Sequence, residues 1–208
     1  MTVTVSRLYD SYAQAQEAVQ ALQNIGIPQS DISLLSNNSD NWYQGNGTSR
    51  IDSDRDGADD RAEGAAAGAG IGATVGGAAG LLAGLGLLAI PGLGPVVAAG
   101  WLASTAAGAL AGGATGGVVG ALTQAGVTED DAHVYAEGVR RGGTLVSARV
   151  ADNDRARVEA LLDRASVNLG KRRDFYRQSG WSGFDPAAPA YTPDRVRQER
   201  EAMQRERF

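Results

Sequence analysis

From Gly64 to Thr128 the chain carries no charged side chain, and small residues recur through that stretch at every fourth position. The first register is Gly64, Gly68, Gly72, Gly76, Gly80 and Gly84; the second is Gly100, Ser104, Gly108, Gly112, Gly116 and Gly120. Small residues four apart on one helix face let a second helix approach unusually closely, the small-xxx-small pattern of packed helix pairs. A period of four overshoots 3.6, so each step turns the stripe by about 40° and six positions sweep roughly 200°. That drift favours crossed packing in which only part of each stripe meets one partner. The two registers, joined by "IPGLGP", therefore predict a helical hairpin over residues 64–127 that packs on itself and on copies of itself.

Such a hairpin is long enough for a bilayer, because residues 64–90 as a helix would span about 40 Å against a hydrocarbon core of about 30 Å. Its glycines make it a poor helix in water, each costing about 1 kcal/mol relative to alanine, so it needs lipid or dense packing. The greasiest part is the turn region, with Leu81, Leu82, Leu85, Leu87, Leu88, Ile90, Leu93, Val96 and Val97. The expectation is a hairpin that inserts into membrane lipid and oligomerises. Its competitor is a soluble assembly with interlocked hairpins.

Around this block the chain reads as α+β. "TVTVSRL" at 2–8 alternates β-branched residues and reads as a strand. Asp10 can cap a helix whose apolar positions include Ala15, Ala18, Val19, Leu22 and Ile25, and "DISLL" reads as a second strand. Beyond the block, Thr128 followed by Asp131 has the form of a capping box opening "DDAHVYAEGVRR". "TLVSARV" reads as a strand, "DRARVEALLDRAS" as an amphipathic helix, and "VNLGKRR" as a short last strand. Setting aside the block and the helix that follows it, the order is βαβ then βαβ, that of a ferredoxin-like sandwich with an enlarged middle connection. The expected divisions are 1–36 and 128–174 for the two halves of the α+β domain, 37–63 for an acidic linker, 64–127 for the hairpin and 175–208 for a tail. That tail is expected to be extended up to Pro193, where a charged helix begins.

Charge is distributed in blocks. Residues 1–63 hold ten acids and four arginines, whereas the segment from Lys171 onward holds nine basic and six acidic residues. A net charge of −5 with no concentrated basic face argues against nucleic acid as a partner. No cysteine is present, which removes thiolate metal sites and cysteine nucleophiles, and the single histidine, His133, leaves no multi-histidine metal site. The N-terminal residues lack a basic segment followed by an apolar one, so no secretory signal is read and the main domain is expected in the cytoplasm, attached to the inner membrane through the hairpin.

One stretch has metal-ligand spacing. "DSDRDGADDRAE" at 52–63 fits D-x-[DN]-x-[DN]-G-x5-E, in which Asp52, Asp54, Asp56, the Ala58 carbonyl, Asp60 through a water, and Glu63 would hold calcium. Against this, Asp59 stands where an apolar residue normally joins a paired loop, and a solvated acidic linker explains the same residues. Calcium is the one cofactor the sequence suggests, and with it the further alternative of a calcium-responsive binding protein. The remaining features are weaker. Glycine pairs such as Gly68 and Gly70 do not sit between a strand and a helix, so they make no dinucleotide site. Lys171, Arg172 and Arg173 form a basic cluster suited to phosphate or lipid headgroups or simply to solvent. Trp181, Phe184 and Tyr191 among prolines form either a docking segment or a cover for the protein's own apolar surface. No residue set makes an active site, and no small-molecule substrate is identified.

Three stretches carry a family likeness: "LLAGLGLLAIPGLGPVVAAGWLAS", "AGVTEDDAHVYAEGVRRGGTLVSARV" and the first strand-helix-strand unit. Through them the chain resembles bacterial general stress proteins of the 17M-like type, which include members described as low-temperature-induced proteins. The likeness covers roughly residues 1–170, and "GWSGFDPAAPAYT" is similar to a tail seen in such proteins. It implies a stress-associated, non-enzymatic bacterial protein with a small α+β domain, and it supplies no catalytic residues.

Overall fold

The computed structural model describes residues 1–44, 85–105 and 117–205. Five strands form one antiparallel sheet: β1 (Thr2–Tyr9), β2 (Ile32–Asn37), β3 (Gly86–Ile90), β4 (Gly94–Ala99) and β5 (Thr144–Ala151), in the spatial order β1-β5-β2-β4-β3. The helices are α1 (Tyr12–Asn24), α2 (Gly117–Gln124), α3 (Glu129–Arg140), α4 (Arg155–Leu162), α5 (Leu169–Gln178) and α6 (Pro193–Arg205), with a helical turn over residues 101–105. The class is α+β.

Both faces of the sheet are covered. On one face Leu34, Val146, Ala148 and Val150 pack against Ala15, Val19 and Leu22 of α1 and Val158 and Leu162 of α4. On the other, Leu8, Leu35, Val96, Ala98 and Leu145 pack against Val118 and Leu122 of α2 and Ala132, Tyr135, Ala136 and Val139 of α3. The strands alternate their side chains between these two cores, which is why β2 and most of β5 are buried along their length.

The local signals for α1 and α3 act much as their residues suggest. Thr128 accepts from the Asp131 amide at 3.3 Å, and Gly142, at φ +102°, follows the end of α3. At α1 the cap is Ser11, which accepts from the Gln14 amide, rather than Asp10.

The expected helical hairpin is corrected at its centre. The "IPGLGP" turn joins two strands, not two helices. Pro91 and Gly92, the latter at φ +75°, make a tight turn closed by the Leu93 amide donating to the Ile90 carbonyl at 3.0 Å. Two prolines and a glycine at positive φ cannot continue a helix, whereas "LLAI" and "VVAA" around a Pro-Gly turn suit a β-ribbon. Ile90, Leu93, Val96 and Val97, expected at a lipid-facing tip, are buried within this protein's own fold.

The expected ferredoxin-like order is not confirmed. β1, β5 and β2 lie side by side with α1 and α4 on one face, but the strand expected at 167–173 is helical. Asn168 caps α5 by accepting from the Lys171 amide at 3.0 Å, and only Val167 reaches the sheet, donating to the Leu8 carbonyl. The segment 175–193 is likewise not wholly extended, because α5 runs to Gln178. Among the described residues, no helix is long and apolar enough to cross a membrane.

Candidate functional site

The chemistry-bearing side chains gather where the C-terminal segment crosses α3. Glu137, on the inner side of that helix, is 1% exposed. Its carboxylate lies 2.7 Å from Arg141 and 3.6 Å from Arg140, three and four residues on, where one helical turn brings side chains together. Arg141 reaches on to Glu199 of α6 at 3.0 Å and lies with its guanidinium 4.3 Å from the centre of the Tyr176 ring. Arg140 donates to the Pro189 carbonyl at 2.8 Å and stacks on Tyr191 at 4.5 Å, and Arg195 lies over the same ring at 4.0 Å. Two carboxylates thus face two interior guanidiniums, so the burial leaves no net charge. Burial works against the Arg141 charge, yet Glu137 and Glu199 more than offset it and hold its pKa above the ordinary value. Burial, with a smaller push from the Glu137 charge, raises the Tyr176 hydroxyl well above the usual range against the opposing Arg172 and Arg141.

A cavity of about 190 Å³ lies beside this network, at the start of α3, with Glu129, His133, Arg173, Arg177 and Trp181 in its wall. His133 is committed structurally there. Its Nδ1 accepts from the Phe184 amide at 3.0 Å, which makes the neutral ring the Nε2–H tautomer, and Nε2 lies 3.9 Å from the Glu129 carboxylate. The histidine therefore fastens the C-terminal segment to α3. The cavity wall mixes both charges, and Arg173 is paired with Asp131.

The basic cluster at 171–173 is largely absorbed. Arg172 is buried against Asp10 at 2.8 Å and touches Met203, leaving Lys171 as the solvent-facing member. The aromatic segment covers the protein itself: Phe184 enters the core beside α3, Trp181 meets Tyr176 edge-on with centroids 5.7 Å apart, and Tyr191 lies under its two arginines.

The calcium-loop residues Asp52, Asp54, Asp56, Ala58, Asp60 and Glu63 lie outside the described residues, as do Gly64, Gly68, Gly72, Gly76, Gly80, Gly84, Gly108, Gly112 and Gly116. Among the described residues no cluster of three metal-ligating side chains occurs. Of the remaining stripe positions, Gly100 packs against a strand rather than a helix. Its φ is +83°, and a Cβ there would overlap the Ile32 carbonyl and stand 2.8 Å from Ser33 Cα. Ser104 falls in the helical turn at 101–105, and Gly120 lies on α2, where an added Cβ would meet nothing within 4 Å.

The Glu137–Arg140–Arg141 set is a grouping that the sequence alone does not single out. The i, i+3, i+4 spacing of "EGVRR" on a capped helix is its signal, but the same spacing also describes a solvated helix face. Compared with known proteins, the chain matches no family model, no curated protein and no solved structure.

Proposed function

We propose that this chain is a non-catalytic, stress-associated bacterial protein that assembles with copies of itself through its small-residue runs. The stress association rests on the resemblance described above. The assembly reading rests on the runs themselves and on how the fold anchors them. Tyr43, just before residues 45–84, donates its hydroxyl to the carbonyl of Leu85, just after them, at 3.1 Å. Leu102 and Val118, on either side of residues 106–116, are buried in one core.

That anchoring is the observation that carries the choice between the two forms of the proposal. A run whose two ends are held at one sheet would, to span a bilayer, have to cross it twice. The uncharged part of the first run, residues 64–84, is 21 residues, about 32 Å as one helix and half that if it goes out and back. Residues 106–116 reach about 17 Å as a helix. Neither run suffices for two crossings of a core of about 30 Å. The reading therefore favours protein-to-protein packing in the cytoplasm, with contact at the inner-membrane surface as the second form. Calcium binding by Asp52, Asp54, Asp56, the Ala58 carbonyl, Asp60 and Glu63 is a separate proposal on the acidic linker, tested by calorimetry with and without Asp52→Ala and Asp54→Ala, where no calcium heat or equal binding by the variant overturns it.

Untagged protein, fractionated and sedimented without detergent, is expected as a discrete particle heavier than one chain. Replacing Gly72, Gly76 and Gly80 with leucine is expected to reduce its mass. An unchanged particle overturns the assembly reading. Retention in a membrane pellet through an alkaline carbonate wash, with release by detergent, would restore insertion.

A further inference from the structure

Among the described residues the sheet ends at β3, and the backbone groups on its outer side can be read from the register. The Asn38 amide donates to the Pro95 carbonyl at 2.9 Å, so residue 95, and with it 97 and 99, turns its polar backbone groups toward β2. Residues 94, 96 and 98 consequently face β3, where they meet Ile90, Leu88 and Gly86. Leu87 and Ala89 are left with their amides and carbonyls directed away from the sheet, and no strand pairs with them among the described residues. β3 has neither a charge nor a proline to discourage pairing, and Leu87 is 49% exposed.

This edge is complementary to itself in a single register. Two copies related by a two-fold axis present antiparallel strands to one another. With the axis at residue 88, Leu87 of each copy faces Ala89 of the other, and four N–H···O=C bonds use every outward group of both residues. With the axis at residue 87, Ala89 would face Leu85, whose carbonyl already accepts from Tyr43. With the axis at residue 89, Leu87 would face Pro91, which has no amide hydrogen and lies in the turn. An axis between residues would set outward groups against inward ones.

At residue 88 the side chains also agree. Leu88 is partly buried against the core that contains Ile90 and Val96, on the face opposite Leu87 and Ala89. Across the axis it would meet its own copy as a non-hydrogen-bonded pair, with Cα atoms about 4.5 Å apart. No charges are opposed.

We propose that β3 is an interface with a second copy of this chain, paired antiparallel about Leu88 so that two five-stranded sheets continue as one. This deepens the self-association reading and rests on it, while using a surface distinct from the small-residue runs.

The chain has no cysteine, so single introduced thiols report the register. In full-length protein treated with copper phenanthroline as oxidant, Leu88→Cys is expected to form a disulfide dimer, because its Cα spacing falls within the disulfide range of about 4.4–6.8 Å. Leu87→Cys and Ala89→Cys do not face themselves and should give at least tenfold less. Adding Ala89→Pro to Leu88→Cys removes an outward amide but no bond of the β3–β4 ladder, and should suppress the dimer. Leu87→Pro does the same from the other outward position if Ala89→Pro lowers the melting temperature. Equal yields at 87, 88 and 89, or none at 88, overturn the proposal. A missing Leu88 crosslink in a particle still reduced by the glycine replacements overturns this interface alone. A Leu88 crosslink in a particle that those replacements leave unchanged supports the edge and overturns the role of the runs.

Discussion

At the scale of single residues, a glycine's missing side chain has different meanings at two positions of the same stripe. Gly100 has φ +83° and sits against the Ile32 backbone, so Gly100→Ala combines a strained conformation with an overlap and should cost at least about 2 kcal/mol. Gly120 lies on α2 in open space, so Gly120→Ala should stabilise by about 0.5–1 kcal/mol through helix propensity. Denaturant melts of the two variants check both signs. Tyrosines give a second prediction at this scale. Tyr9 and Tyr135 donate to the Leu162 and Ser6 carbonyls, and burial raises both, pushing Tyr135 up to about 12. Burial raises Tyr176 as well. An unfolded tyrosine ionises near pH 10, so above that pH the folded state binds more protons than the unfolded one and stability falls as pH rises. The stability is fully present below pH 10, and each such group loses about 1.4 kcal/mol per pH unit between 10 and its folded value. Thermal midpoints should be unaffected by these groups below pH 10 and drop steeply above it, with phenolate absorbance from Tyr9, Tyr135 and Tyr176 appearing only on unfolding. Ionisation of all six tyrosines in the folded protein would contradict this.

At the scale of elements, the legible parts are those whose signals are local and redundant. β1, α1, β5 and α3 each combine periodicity with a cap or a stop, as at Thr128 and Gly142, and each forms. The turn at "IPGLGP" escapes a sequence reading because the every-fourth glycine pattern on both sides masks the Pro-Gly turn signal between them. Glycine spacing constrains which backbone can approach, not which secondary structure approaches, and at Gly100 the neighbour is β2. "VNLGKRR" misleads in the opposite sense: Val167 and Leu169 imitate strand alternation, while Asn168 between them is a helix cap. Asn168→Ala should therefore cost about 1 kcal/mol and fray the start of α5 without changing the sheet. Amide exchange of residues 169–173 measures it, and unchanged protection there would leave the cap without a role. The buried Glu137 network stays hidden for a further reason: its burial comes from α5 and α6 crossing α3, a tertiary fact that "EGVRR" alone does not carry.

At the scale of the whole molecule, the sheet joins segments far apart in sequence and holds together the residues that flank the long connections. β2 pairs with β4 and with β5, so residues 32–37 are held on both sides by strands that come after residues 45–84. The hydrogen bond from Tyr43 to Leu85 brings the two ends of that segment together. The fold should therefore survive replacement of residues 46–83 by a flexible linker of about six residues. Closing a loop costs about 0.6 kcal/mol for each doubling of its length, so the shortened chain should be more stable by about 1.5 kcal/mol. If the small-residue run is the device of assembly, the same protein should lose its higher mass while retaining its sheet. Circular dichroism, a denaturant melt and sedimentation on one preparation separate the two effects. Loss of the fold would mean that the replaced residues support the sheet. A folded, more stable protein of unchanged mass would assign assembly to the remaining surfaces, and the Leu88 crosslink would then identify whether β3 is the one that carries it.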